Sequence, residues 1–234
     1  MITLEELRKG QVLLLDKPLH WTSFDIVNKL RYAILKKHNL KKFKVGHAGT
    51  LDPLATGLLI VCVGKATKTI NQFQNLDKEY TGTFYLGATT PSYDAETEID
   101  QTYPTGHITP ELVLKTAANF IGKQEQIPPI FSAIKKNGKK LYEHARKGET
   151  VEIKSRNIEI KAFEILSVNL PEVHFRVKVS KGTYIRSLAY DFGKALQSGA
   201  YLSALRRTKI GTFDVTNATS HQQWIAQVLN HHED

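Results

Sequence analysis

The 234-residue sequence contains a single cysteine, Cys62. One thiol excludes an intrachain disulfide and cannot seed a Cys/His zinc cluster. Sitting inside the apolar run from Leu58 to Val63, it reads as a small core side chain. No apolar run approaches the roughly 20 residues that cross a bilayer. The stretch from Met1 to Gln11 is polar and carries acids, without the apolar core of a secretory signal, so a soluble, cytoplasmic protein is expected. Phosphate-cradling GxxxxGK[ST], metal-binding HExxH and the hydrolase elbow GxSxG are all missing, which removes support for the common nucleotide, zinc and serine-hydrolase sites. Internal repeats, low-complexity tracts and clear linkers are missing too, and 1–234 is expected to form a single domain.

Acidic residues are also in short supply. Against 32 Lys and Arg stand 23 Asp and Glu, a net charge of +9 in an otherwise ordinary globular composition. A surface of that sign attracts polyanions, nucleic acid foremost, although basic charge alone is also common for solubility. Part of it is concentrated in Lys36, Lys37, Lys41, Lys42 and Lys44, a run that is either a solvated face or a phosphate contact. A second concentration lies between Gln126 and Tyr142, where paired prolines precede a lysine-rich turn. It reads as a basic arm at about 124–151, or else as a plain exposed linker.

Periodicity gives a mixed architecture. Thr3 and Glu6 form a capping-box pattern for a short helix closed by Gly10, and Val12–Leu15 reads as a brief buried strand. Ile26, Val27, Leu30 and Ile34 share one face of a helix beginning at Ser23. The run after Gly57 has no polar alternation and is expected to be a strand covered on both faces. Lys65–Phe73 reads as a short helix, Tyr80–Leu86 as a strand and Pro91–Pro104 as an acidic, turn-rich segment. Thr109-Pro110 opens a helix reaching Phe120. Val173–Val179 alternates as an antiparallel strand with a wet face, followed by a helix carrying Leu188, Ala189 and Phe192. Leu205–Thr208 is expected to precede a last strand, Ile210–Val215, and Ser220 to cap a C-terminal helix. Without a regular βαβ rhythm, the fold class is α+β, a largely antiparallel central sheet flanked by helices.

The chemistry concentrates in Gly46-His47-Ala48-Gly49-Thr50-Leu51-Asp52-Pro53-Leu54-Ala55-Thr56-Gly57. Glycines permit tight turns and close approach there, and Pro53 pushes Asp52 towards an extended backbone. A carboxylate on a loop anchored by a buried strand is held firmly. The plain alternative is an Asp-Pro turn beside a satisfied loop histidine. With Asp52 and His47, the candidates are Tyr80, Asp94, Tyr184 and Arg186, each expected at or next to a strand end. A tyrosine offers a face for an unpaired base and one phenolic proton; its ordinary role is core packing.

Together these residues resemble the TruB family of tRNA pseudouridine synthases. The twelve-residue loop is similar to the family's catalytic motif. Further matches are Lys17-Pro18 with Trp21-Thr22-Ser23, Lys78-Glu79-Tyr80, Gln126–Tyr142 with Ala145-Arg146, Ser180–Arg186 and Leu205-Arg206-Arg207, in family order across nearly the whole chain. The resemblance implies the pseudouridine synthase fold and isomerisation of the T-loop uridine of tRNA (position 55), without metal or organic cofactor, by a monomer. It implies Asp52 as the catalytic carboxylate, Tyr80 stacked on the flipped uracil, and Arg186 paired with Asp52. His47, Tyr184, Leu205, Asp94 and Lys17 are implied on the substrate-binding side, Asp94 either bonding RNA or ordering the site.

Two departures stand out. His20 replaces the family's usual glycine, and the sequence ends soon after Trp224, where many relatives continue into a small RNA-binding domain. The 135–147 lysines are then expected to carry more of the RNA affinity, with a steep salt dependence. The competing readings are a catalytically idle RNA-binding module, an RNA-guided enzyme of the same chemistry, and a glycosidase using Asp52 and Asp94 as its carboxylate pair.

Overall fold

The computed structural model describes residues 2–132, 134–136, 138–145, 149 and 151–229. It divides into two compact units, Met1–Tyr80 with Arg206–Asp234, and Thr81–Leu205.

In the first unit the strand Ala55–Val63 is the organising element. It pairs antiparallel with Gln11–Lys17 on one edge and with the short strand Val45–His47. The strand Ala200–Ile210 lies on its other side and is followed in the sheet by Lys78–Leu86, the 206–210 and 78–80 portions belonging to this unit. Alternate side chains from Leu58 to Val63 enter two different cores, which is why that part of the strand has no polar positions. Leu59, Val61 and Val63 pack with Leu13, Leu15, Ile26, Leu30, Ile34 and Trp224. Leu58, Ile60 and Cys62 pack with Ala48 and Ile210, bordered by Phe73 and Phe213. Cys62 is fully buried, as a core side chain should be.

The helix Ser23–Lys37 is capped by Thr22, whose side chain accepts from the Asp25 N–H while Asp25 answers to the Thr22 N–H. Thr3 and Glu6 do the same for Leu4–Lys9, and Ser220 with Gln223 for His221–Leu229. These caps each satisfy otherwise orphaned N–H groups, and each is worth about 1 kcal/mol.

The second unit carries the order Ala200–Ile210, Lys78–Leu86, Glu172–Val179, Arg156–Asn169, Gly122–Gln126. Its core is aromatic: Phe84 lies 4.1 Å from Phe175 and 5.3 Å from Phe192, with Phe120 and Phe163 packed at their edges. The helix Pro110–Asn119 starts at Thr109 with proline in its first turn, as its sequence predicts.

The expected α+β class with antiparallel pairing and flanking helices holds, with three corrections. The first strand runs Gln11–Lys17 and alternates, leaving Val12 40% exposed. Lys65–Phe73 is a 3-10 turn, Gly64–Thr69, leading into a short α-helix, Ile70–Gln74. Leu205–Thr208 lies inside a strand that ends at Ile210, not before one. Two adjacent arginines disguise that strand, because Arg207 is buried against backbone carbonyls instead of pointing to water. In the 124–151 arm, Lys135–Lys136 pairs with Lys139–Lys140 and Leu141–Ala145 is helical. Ala133, Asn137, 146–148 and Thr150 of that arm lie outside the described residues.

Candidate active site

The loop 46–57 is fixed at every bend. After the strand Val45–His47, the Ala48 N–H donates to the Ile60 carbonyl at 2.8 Å. Gly49 and Gly57 have φ of +101° and +102°, the left-handed region where side chains are strained. A Cβ at Gly57 would also stand 2.3 Å from the Arg207 carbonyl oxygen, so this position has no room for any other residue. Asp52 opens a turn with Pro53 second, closed by the Ala55 N–H donating to the Asp52 carbonyl at 3.0 Å. Proline presets the backbone angle that such a turn requires.

Three further groups clamp the loop from outside. Ser23 accepts from the Leu51 N–H at 2.8 Å and returns its hydroxyl proton to the Leu51 carbonyl at 3.2 Å. The His20 N–H donates to the Pro53 carbonyl at 2.8 Å. The Arg207 guanidinium donates to the carbonyls of Leu58 and Gly49 at 2.7 and 3.1 Å. Leu51 is buried while Asp52, next to it, is half-exposed. The carboxylate thus sits at the edge of solvent on a backbone tied down on both sides by hydrogen bonds. His20 has φ +64°, a conformation that glycine takes freely, so the turn keeps the shape a glycine would give and gains an exposed imidazole.

Lys17 lies on the adjacent strand, opposite Gly57. Although implied on the substrate side, it is fully buried, and its ammonium donates to the carbonyls of Trp21 at 2.6 Å and Pro18 at 2.9 Å. What it grips is the protein's own turn. Burial pushes its pKa down to about 8, with the Asp52 charge opposing that fall and Arg207 adding to it. Beside it, Asp16 receives both terminal nitrogens of Arg206, at 2.6 and 3.0 Å. His47 is half-buried, and burial first, then Arg207, lowers its pKa, keeping the ring neutral near pH 7. Tyr80 is 8% exposed, in the third position of Lys78–Leu86. The strand start is pinned by Lys78, whose ammonium donates to the Gln74 and Leu76 carbonyls.

The second unit holds the other candidates. Arg186 and Asp94 are both buried, Nε to Oδ2 3.4 Å, and Arg186 also donates to the Ser92 carbonyl at 3.2 Å. Asp94 accepts the Glu96 N–H through its other oxygen. Buried, Asp94 has the Arg186 guanidinium as its charge partner. Arg186 lies in the first turn of the helix Ile185–Ala195 and Tyr184 caps that helix, so neither is at a strand end as expected. Gln126 brackets Tyr184, giving its amide to the Tyr184 carbonyl and accepting the Tyr184 N–H at 2.8 Å, while the Arg156 guanidinium lies 5.1 Å above the Tyr184 ring. Leu205 is half-buried in its strand.

Sequence reasoning gave no role to Arg207 or Gln126, nor to Tyr93, whose ring stacks on Tyr190 at 4.2 Å. Nothing in a lone Arg or Gln marks it as bound to backbone; the one readable signal was an arginine inside a strand-length segment. Among the described residues, no group of three or more His, Cys, Asp or Glu could hold a metal ion, and no helix is long and apolar enough to cross a membrane.

Residues 37–185 match the N-terminal domain of the TruB family pseudouridylate synthases, and residues 186–234 match the tRNA pseudouridylate synthase B C-terminal domain. The chain is similar to tRNA pseudouridine synthase B of Flavobacterium johnsoniae, 65% identical over 218 residues, covering 93% of this chain and 95% of the relative. The enzyme of the same name from Phocaeicola vulgatus is 57% identical over 223 residues, with 94% and 95% covered. Among solved structures, a chain of a Cbf5-Nop10-Gar1 complex superposes with a TM-score of 0.69 at 30% identity. That match covers 94% of this chain and 54% of the other, so this chain spans about half of that protein's length.

Proposed function

Since this chain belongs to the TruB family of pseudouridylate synthases, we propose that it isomerises the T-loop uridine of tRNA, position 55, to pseudouridine. The observation that carries the reading is the Asp52 carboxylate, half-exposed on a loop locked by Ser23, His20 and Arg207. A binding module has no use for a rigidly presented negative charge facing a polyanion.

The reaction rearranges bonds without adding or removing atoms. The uridine leaves its stack, which costs a few kcal/mol and is cheapest in a loop. Asp52 then acts at the sugar, either by attack on C1′ or by taking the C2′ proton, and the C1′–N1 bond breaks. The uracil turns while held, C1′ bonds to C5, and the C5 proton moves to N1. Tyr80 supplies the face under the uracil and the phenol that handles that proton. Arg186, aligned by Asp94, supplies the positive charge that the scheme sets against the Asp52 carboxylate. Tyr184 and Leu205 line the base, neutral His47 fills the remodelled loop, and Lys17 acts through the turn that it holds. No metal or organic cofactor enters this scheme. The enzyme works as a monomer in the cytoplasm, and the 124–151 arm contacts the tRNA.

The relatives at 65% and 57% identity are named for tRNA over nearly their full length, which favours direct tRNA recognition over an RNA-guided assembly. The test is incubation with an unmodified tRNA transcript and mapping of the product. Pseudouridine should appear at the T-loop uridine, and Asp52→Asn should abolish it while tRNA still binds. Turnover by the Asn variant would remove Asp52 from its role.

A further inference from the structure

A pocket of about 370 Å³ in the first unit is lined by Arg8, Lys42, Lys44, Lys65 and Lys68, with Phe43, Gly64 and Thr67 completing it. No acidic residue lines it. The five cations come from three separate segments, and their backbones are locked together at Gly64. That residue has φ +59°, donates its N–H to the Lys44 carbonyl at 2.9 Å, and leaves no space for a Cβ, which would meet the Leu7 carbonyl oxygen at 2.0 Å. Gly10 closes the same frame from the other side: a Cβ there would stand 2.5 Å from the Ala66 nitrogen. Phe43 is half-buried against the Leu13–Trp224 core and forms an apolar wall.

We propose that this pocket binds backbone phosphates of the RNA substrate at a point remote from the uridine that reacts, a reading that rests on the function proposed above. Gly64 follows the last residue of Ala55–Val63, whereas Asp52 precedes its first by three. Nine residues of strand extend about 30 Å at roughly 3.3 Å each, so the pocket and the reacting carboxylate stand at opposite ends of that strand. A single small anion is satisfied by one or two cations. Five around one opening match a strand of successive phosphodiesters. Four of the five are lysines, strongly hydrated point charges that contact a backbone without reading sequence. The Phe43 wall suits the sugar or base between two phosphates. The basic run ending at Lys44 is thereby divided, Lys42 and Lys44 facing the pocket.

The experiment measures the affinity of the full chain for an unmodified tRNA transcript across a salt series. Variant Lys65→Gln/Lys68→Gln changes two exposed pocket residues, and Lys42→Gln/Lys44→Gln removes charge from a different wall. Lys115→Gln/Lys123→Gln alters the net charge equally on exposed residues elsewhere. Each phosphate contact contributes about 0.7–0.9 to the slope of log affinity against log salt. Both pocket variants should lower that slope by about 1.5 and weaken binding about tenfold at low salt, with the control near wild type and turnover at saturating tRNA unchanged. Equal slopes for pocket and control variants would overturn the proposal. So would protection of the wild type, but not the variants, by adenosine monophosphate or inorganic phosphate with tRNA slopes unchanged, which marks a small-anion site. If the wild type binds tRNA with a pocket-dependent slope but makes no pseudouridine, the functional reading fails and the pocket stands.

Discussion

The Arg207 guanidinium, 1% exposed, donates to the Leu58 carbonyl at 2.7 Å and thereby joins the strand Ala200–Ile210 to the base of the loop that presents Asp52. A second donation, to Gly49, ties the other arm of the same loop. A flexible ammonium cannot reproduce this planar fork. Arg207→Lys should therefore lose about 2–3 kcal/mol of stability by urea unfolding, the scale of charge-assisted bonds left unmade. Its rate of pseudouridine formation should fall more than its affinity for tRNA.

Gly57 faces the same residue through the backbone. Replacing it with alanine imposes a left-handed alanine, worth about 1–2 kcal/mol, and a clash with the Arg207 carbonyl that only backbone movement relieves. Gly57→Ala should lower stability by about 3 kcal/mol, read as a drop in Tm and in denaturant midpoint. Gly106 serves as the contrast, because nothing lies within 4 Å of a Cβ there and its φ is not positive; Gly106→Ala should be near neutral.

Lys17 makes stability depend on alkaline pH. Its folded pKa of about 8 lies below the ordinary lysine value of 10.5. Below pH 8 both folded and unfolded chains carry the proton, and the folded chain bears the cost of burying the charge. Between 8 and 10.5 the unfolded chain binds more protons, so the contribution to stability rises with pH, by at most about 3 kcal/mol. The stability lead of wild type over Lys17→Met should widen across that window in parallel urea titrations. A constant difference would show that the ammonium titrates as it does in water.

Tyr93 stacks on Tyr190 at 4.2 Å and 17° while its own backbone has φ +62°. It directly precedes Asp94, and Tyr190 lies one helical turn beyond Arg186, so the stack braces the Asp94–Arg186 pair. Asparagine tolerates the backbone but cannot stack. Tyr93→Asn should slow single-turnover pseudouridine formation by up to about tenfold, the rate equivalent of a 0.5–1.5 kcal/mol aromatic contact. Tyr93→Phe should restore the rate, and tRNA affinity should stay constant across all three proteins.

What the sequence determined by itself was whatever follows from local covalent and solvation rules. The caps at Thr3, Thr109 and Ser220, the doubly buried strand after Gly57, and the glycine-punctuated loop around Asp52 were legible because each satisfies its own requirement within a few residues. Tertiary structure alone decided how charge was to be used. Lys17 and Arg207 carry the same signal in sequence as any surface cation, yet both are buried among carbonyls that other segments bring to them. Lys65 and Lys68 look like parts of a solvated turn until Arg8, Lys42 and Lys44 close around them. A charged side chain becomes a strut or a contact according to which distant backbone groups share its space, and that depends on packing between elements instead of on neighbours in the chain.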